Sequence, residues 1–150
     1  LAFGTQIVSD TAPLHSLVAA MLAACPSLHV LRDPTRGGVA STMNELAAQS
    51  GTGIELEETA IPVDDEVRGA CEILGFDPLY VANEGKLIAA VPPGAADAVL
   101  AAMRAHPLGA RAAVIGRVVS EHPSIVTLRS SIGSMRIVDM LSGEQLPRIC

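Results

Sequence analysis

Leu28-His29-Val30-Leu31-Arg32-Asp33-Pro34-Thr35-Arg36-Gly37-Gly38-Val39 runs from a short apolar segment through a turn-rich loop into a helical repeat. Leu28–Leu31 predicts a strand. Val39, Met43, Leu46 and Ala47 share one helix face, and Gly51 is placed to close that helix. Strand, glycine loop and helix form the unit around which the chain is read. Upstream, residues 3–9 predict a strand. Ser9-Asp10-Thr11 predicts a cap, and Pro13 suits the first turn of a helix over about 12–24 with Leu14, Leu17, Val18, Met21 and Leu22 at helical spacing. Pro26 ends it. Downstream, Ile54–Glu57 alternates like a half-buried strand. Pro62-Val63-Asp64-Asp65 opens a third helix with Val67, Ala70, Cys71 and Leu74 on one face, and Gly75 stops it. Tyr80-Val81-Ala82 predicts a short strand, turned by Asn83-Glu84-Gly85 into a second one over 86–91. After the break at Pro92-Pro93-Gly94, a helix is expected at about 95–105. Strands are expected at 112–119, 124–129 and 134–141, with a hairpin turn at Ser130–Gly133. This order predicts an α+β fold, a mixed β-sheet flanked by helices.

The composition narrows the function. Of 150 residues, 49% are hydrophobic and 17% charged, which suits a buried core and excludes a disordered chain. No apolar run approaches the roughly 20 residues that span a bilayer. The formal net charge is −6, Lys86 is the only lysine, and the arginines are scattered. Nucleic-acid binding depends on clustered cations and stacking aromatics, and aromatics are 2% of the chain. Nucleic acid and an anionic membrane are therefore not expected partners. Cys25, Cys71 and Cys150 are too few and too far apart for a disulfide framework, and His15, His29, His106 and His122 show no zinc-type spacing with them. No metal site is expected, and a reducing cytoplasm is the expected compartment. Cys25 and Cys71 lie in apolar helical stretches and are expected to be buried. The chain begins at Leu1, so a cut from something longer is expected. Its Ala-rich helices predict a surface that meets a partner or another domain.

Three motifs carry chemistry. In Asp33-Pro34-Thr35-Arg36-Gly37-Gly38, paired glycines let backbone N–H groups approach a ligand, and the following helix N-terminus is electropositive. Arg36 can fork onto a phosphate, while Asp33 can hold magnesium or orient Arg36. The alternative is a turn in which Thr35 caps the helix. No Gly-Lys-Ser/Thr follows, so this is not a Walker A loop. In Asn83-Glu84-Gly85-Lys86, Glu84 is placed as a general base, or as a solvated charge in a plain hairpin turn. The third motif is Pro147-Arg148-Ile149-Cys150. A tail from Ser142 extends at most about 30 Å, and its last residue carries a thiol.

Together these motifs resemble the HypE hydrogenase maturation proteins. Arg32-Asp33-Pro34-Thr35-Arg36-Gly37-Gly38-Val39-Ala40, Asn83-Glu84-Gly85-Lys86-Leu87 and Pro147-Arg148-Ile149-Cys150 look like that family's patterns, and Ser9-Asp10-Thr11-Ala12-Pro13-Leu14 is similar as well. The resemblance covers the whole chain but only the family's C-terminal domain. The terminal tetrapeptide is its most specific element. The glycine loop is shared with aminoimidazole ribonucleotide synthetase and selenophosphate synthetase.

The resemblance implies a fold like the C-terminal domain of aminoimidazole ribonucleotide synthetase. Residues 1–150 are expected to form one such domain, with a flexible tail from about 142–150 and the N-terminal ATP-binding domain absent. The implied activity is that of a carbamoyl dehydratase. Cys150 accepts a carbamoyl group from the carbamoyltransferase HypF, and ATP activates its oxygen. Loss of phosphate leaves a thiocyanate, the source of the cyanide ligands of the hydrogenase iron, delivered to a HypC–HypD complex. Glu84 becomes the base, and Asp33, Thr35, Arg36, Gly37 and Gly38 the nucleotide-facing loop. ATP and Mg2+ are held mainly by the absent domain, so the chain alone is expected to show little dehydratase activity. A homodimer is implied at full length. The alternatives are a domain of another ATP-dependent synthetase of the same superfamily, which has no need of Cys150, and a non-catalytic interaction module.

Overall fold

The computed structural model describes residues 9–141. The expected strand at 3–9, apart from Ser9, and the tail with Cys150 lie outside the described residues. The strand–loop–helix unit is present. Strand β1 spans Val30–Arg32, two residues later than expected at its start, and helix α2 spans Gly38–Ser50. Before them lies α1, His15–Ala24, and after them β2, Gly53–Glu57. Helix α3 covers Asp65–Leu74, β3 Ile88–Ala90 and α4 Ala96–Arg104. Strands β4, Gly116–Val119, β5, Val126–Arg129, and β6, Met135–Ile137, complete the order. No helix among the described residues is long and apolar enough to cross a membrane.

The strands make two sheets. One has four strands in the order β4-β2-β5-β6, antiparallel except for the parallel pair β2 and β5, and so mixed. The other pairs β1 with β3 antiparallel. Helix α2 covers the larger sheet. Ala40, Met43 and Ala47 pack with Ile54, Leu56, Val126, Leu128 and Val138. Helices α1 and α4 pack through Leu17, Met21, Cys25 and Val99 against the smaller sheet. Strand periodicity divides the neighbours of β3 between the two cores: Ile88 faces the first, while Leu87, Ala89 and Val91 face the second. The α+β class, the mixed sheet and the flanking helices are as expected.

Four local expectations are corrected. Tyr80-Val81-Ala82 is not a strand: Pro78–Tyr80 is a 3-10 turn whose first N–H is taken by the Asp77 side chain. Consequently Asn83-Glu84-Gly85-Lys86 is not a hairpin turn, and β3 pairs with β1 instead. Ser9-Asp10-Thr11 does not cap α1, which starts at His15 with Leu14 before it and no side-chain cap. Thr35 does not cap α2, whose N-cap is Gly37 at φ +67°. On α3 only Cys71 is buried, and Leu74 is 44% exposed. Cys25 and Cys71 are buried, unbridged thiols, and burial pushes the Cys71 thiol up.

Candidate functional site

The loop between β1 and α2 forms one wall of an open cleft of about 370 Å³, lined by Arg32, Asp33, Thr35, Arg36, Thr42 and Glu45. Arg32 is held by Glu45, with 2.5 Å between Nη2 and Oε2. The Thr35 hydroxyl donates to Asp33 Oδ2 at 2.8 Å, and this bond holds the Asp33 carboxyl below its ordinary value. Gly37 and Gly38 both have positive φ, +67° and +60°, and α2 begins without a side-chain cap or an acid in its first turn. This is the arrangement that receives an anion. The cleft has two carboxylates, one committed to Arg32 and one to Thr35. Among the described residues no three His, Cys, Asp or Glu side chains converge as metal ligands. The donors here fit a phosphate group and do not by themselves fit a magnesium ion.

The second motif lies beside the first. The Asn83 N–H donates to the Pro34 carbonyl at 3.1 Å, and the Asn83 side-chain amide donates to the Val81 carbonyl at 2.8 Å. Gly38 is buried against the carbonyls of Leu79 and Val81, where a Cβ would lie 2.5 Å from each oxygen. The two segments are thus joined through backbone. Glu84 is exposed on the segment after Asn83 and is not among the residues lining the cleft.

Asp10 is a residue that sequence reasoning misplaced. Its Oδ2 accepts the Glu84 N–H at 3.2 Å and Lys86 Nζ at 3.1 Å. Gly85 sits so close to the Asp10 backbone that a Cβ there would collide with its carbonyl. Partial burial pushes the Asp10 carboxyl up. The Lys86 ammonium and the Glu84 N–H outweigh this and hold it below its ordinary value. The only signal in the sequence was the single lysine, whose counter-charge had to come from somewhere.

A serine–histidine pair elsewhere is not arranged to activate its serine. His106 Nδ1 accepts the Leu108 N–H at 3.2 Å, so a neutral ring carries its proton on Nε2, which faces Ser16 Oγ at 3.0 Å. That ring donates to the hydroxyl and cannot take its proton.

Tyr80 follows the Gly38 contact, and its phenol is raised above the ordinary value by burial first and by Asp77 second. Because Tyr80 is the only tyrosine, a spectrophotometric titration reads it directly. The tyrosinate band is expected to appear above the usual pH of about 10, and Asp77→Asn should bring the midpoint down. The sign for stability follows. The folded chain holds the phenol proton more tightly than the unfolded one. This contribution is therefore complete below the unfolded value and lost as pH rises through the folded one.

Residues 1–129 match the family model described as AIR synthase related protein, C-terminal domain. The carbamoyl dehydratase HypE of Cupriavidus necator is 60% identical over 150 residues, 100% of this chain and 43% of that protein. A crystal structure of hydrogenase maturation protein HypE in complex with ATP superposes with a TM-score of 0.92 at 46% identity, over 100% of this chain and 46% of that one. The crystal structure of a HypE–HypF complex matches with a TM-score of 0.88 at 41% identity, over 94% and 46%. The chain thus spans less than half the length of the relatives it matches.

Proposed function

The chain belongs to the AIR synthase related protein C-terminal domain family, and from that premise we propose that it works as the C-terminal domain of a carbamoyl dehydratase of the HypE kind. The observation that carries the reading is the 60% identity to such an enzyme along the entire chain. In this reading Cys150 carries a carbamoyl group received from a HypF-type carbamoyltransferase. ATP supplies the phosphoryl group that turns the carbamoyl oxygen into a leaving group. The balance is S–C(=O)–NH2 plus ATP giving S–C≡N plus ADP, phosphate and one proton. Glu84 takes the N–H proton as the C–O bond breaks and the nitrile forms. Arg36 and the N–H groups at Gly37 and Gly38 receive the phosphate charge. Asp33 and Thr35 brace that loop through their shared hydrogen bond. Magnesium, in this reading, is held mainly by the N-terminal ATP-binding domain of such an enzyme. The cyano group then passes to iron on a HypC–HypD complex, in the cytoplasm, from a homodimer.

Two features of the fold support the reading. The Asn83–Pro34 hydrogen bond joins the base-bearing segment to the glycine loop. Leu141, the last described residue, lies beside Gly37: a Cβ on Gly37 would be 3.6 Å from that of Leu141. Nine residues separate Leu141 from the end of the sequence, and at 3.3–3.6 Å per residue they reach at most about 30 Å.

Incubation with the carbamoyltransferase, carbamoyl phosphate and ATP tests the proposal. Intact mass is expected to rise by one carbamoyl group, and the rise should be absent in Cys150→Ala. An adduct that persists in Cys150→Ala, or no adduct on the unaltered chain, overturns the carrier role.

A further inference from the structure

Beyond the glycine loop, the cleft has a second wall. Strand β1 contributes Arg32, and α2 contributes Thr42 and Glu45, three residues apart and so on one side of the helix. Thr42 is 2% exposed, yet it lines the cleft. Its hydroxyl makes no hydrogen bond to a described residue, while no fully buried side-chain polar atom among the described residues lacks one. The hydroxyl therefore opens onto the cleft from a side chain that is otherwise enclosed. A buried hydroxyl normally finds a partner, in a helix often the carbonyl one turn back. Arg32 is anchored twice. Its backbone pairs with Ile88 of β3, and its Nη2 donates to Glu45 Oε2. A guanidinium has five N–H donors, so this bond leaves others for a ligand.

We propose that Arg32 and Thr42 form a second anion subsite beside Arg36 and the N–H groups of Gly37 and Gly38, so that the cleft takes two linked phosphoryl groups. The ligand class is a phosphoanhydride, either free pyrophosphate or the phosphate chain of a nucleotide. This deepens, and rests on, the reading of the glycine loop as the group that receives phosphate. Size agrees with it. The cleft volume of about 370 Å³ equals that of about twelve waters at roughly 30 Å³ each, more than one phosphoryl group fills. Charge sets the balance. Asp33 and Glu45 offset Arg32 and Arg36, so placed donors rather than a net positive field select the ligand. Glu45 both aims Arg32 and repels any anion. That conflict gives the test its sign, because Glu45→Gln keeps an oxygen to accept from Arg32 and removes the negative charge.

Titration of the isotope-labelled chain with inorganic pyrophosphate, followed by amide shifts over Gly37–Thr42, tests the subsite. Pyrophosphate is expected to bind about tenfold more tightly than inorganic phosphate. Arg32→Gln should weaken pyrophosphate by about tenfold or more, through loss of a charge-assisted hydrogen bond. Thr42→Val should weaken it about fivefold with an unchanged or higher melting temperature, since a methyl group replaces an unpartnered hydroxyl. Glu45→Gln should tighten it about fivefold, as removal of one like charge at about 4 Å in water implies. A merely structural role would weaken binding in all three variants, in step with their stability, and that result overturns the proposal. So does pyrophosphate that binds no more tightly than phosphate, or an affinity unchanged in both Arg32→Gln and Thr42→Val. ADP is the second arm. Losses with both ligands assign the subsite to a nucleotide's phosphate chain, and losses with pyrophosphate alone assign it to the free ion. The underlying reading fails separately: if Arg36→Gln leaves the inorganic phosphate response at Gly37 and Gly38 unchanged, the loop's role falls whatever Arg32 does.

Discussion

Gly38→Ala is expected to cost about 3–5 kcal/mol, from left-handed backbone strain and overpacking together. Gly38 has φ +60°, where an L side chain is strained. Its missing Cβ also leaves room for the carbonyls of Leu79 and Val81, which a methyl group would meet at 2.5 Å. Those atoms are backbone, held by the Asp77 cap and by the Asn83 side chain, so they yield only by moving the 3-10 turn. Gly51 supplies the control. Its φ is +66°, and a Cβ there meets nothing within 4 Å. Gly51→Ala should therefore show the backbone term alone, about 1–2 kcal/mol. Denaturant unfolding with an unchanged m-value reads both, and the Gly38 variant should melt about 10 °C lower or more. Equal costs at the two positions would remove the close approach on which the joined motifs depend.

The contrast between these glycines also explains what could be read in advance. Helix α2 with Gly51, strand β2 and the hairpin at Ser130–Gly133 have local causes: side-chain periodicity, a left-handed stop and a short turn. They were legible. The segment from Tyr80 to Lys86 was not, because its conformation is set from a distance. Asp77 turns its start, Gly38 backs onto it, Pro34 takes the Asn83 N–H and Asp10 takes that of Glu84. Ser9-Asp10-Thr11 reads equally well as a helix cap or as a partner for something 74 residues away, and sequence spacing does not choose between them. Helix α3 shows the same limit from the other side. Its pattern predicted a helix correctly, but periodicity is silent on whether anything covers the face. Ile73 is 75% exposed. Asp33, Thr35, Arg36, Gly37 and Gly38 stand together in the sequence as one loop, and Asp33, Thr35 and Arg36 line the cleft. Their contact with the Asn83 segment, and the contacts of Asp10 with Glu84 and Lys86, belong to the tertiary fold.

Glu84→Gln should separate the two halves of the proposed reaction. Accepting a carbamoyl group requires the thiol of Cys150 and no base on this segment, so the adduct should form at nearly the normal level. Its ATP-dependent loss of water requires a carboxylate to take the nitrogen's proton. Removing a positioned base typically costs about 10²–10⁴-fold. The assay is best run on the chain joined to the remaining part of the Cupriavidus necator relative, since this chain covers 43% of that protein. Intact mass then follows both steps: gain of one carbamoyl group, then loss of one water. Asp10→Ala provides the graded comparison. It leaves the Glu84 carboxylate in place but removes the acceptor for its backbone N–H and the partner of Lys86. A displaced base loses alignment rather than basicity, which should slow dehydration by about tenfold to a hundredfold with carbamoyl acceptance again intact. The expected order is therefore unaltered chain, Asp10→Ala, Glu84→Gln. If Glu84→Gln dehydrates at the normal rate, the base lies elsewhere and the Asp10 contact is only a clasp. If it blocks the first step too, the segment serves docking of the donor rather than proton transfer.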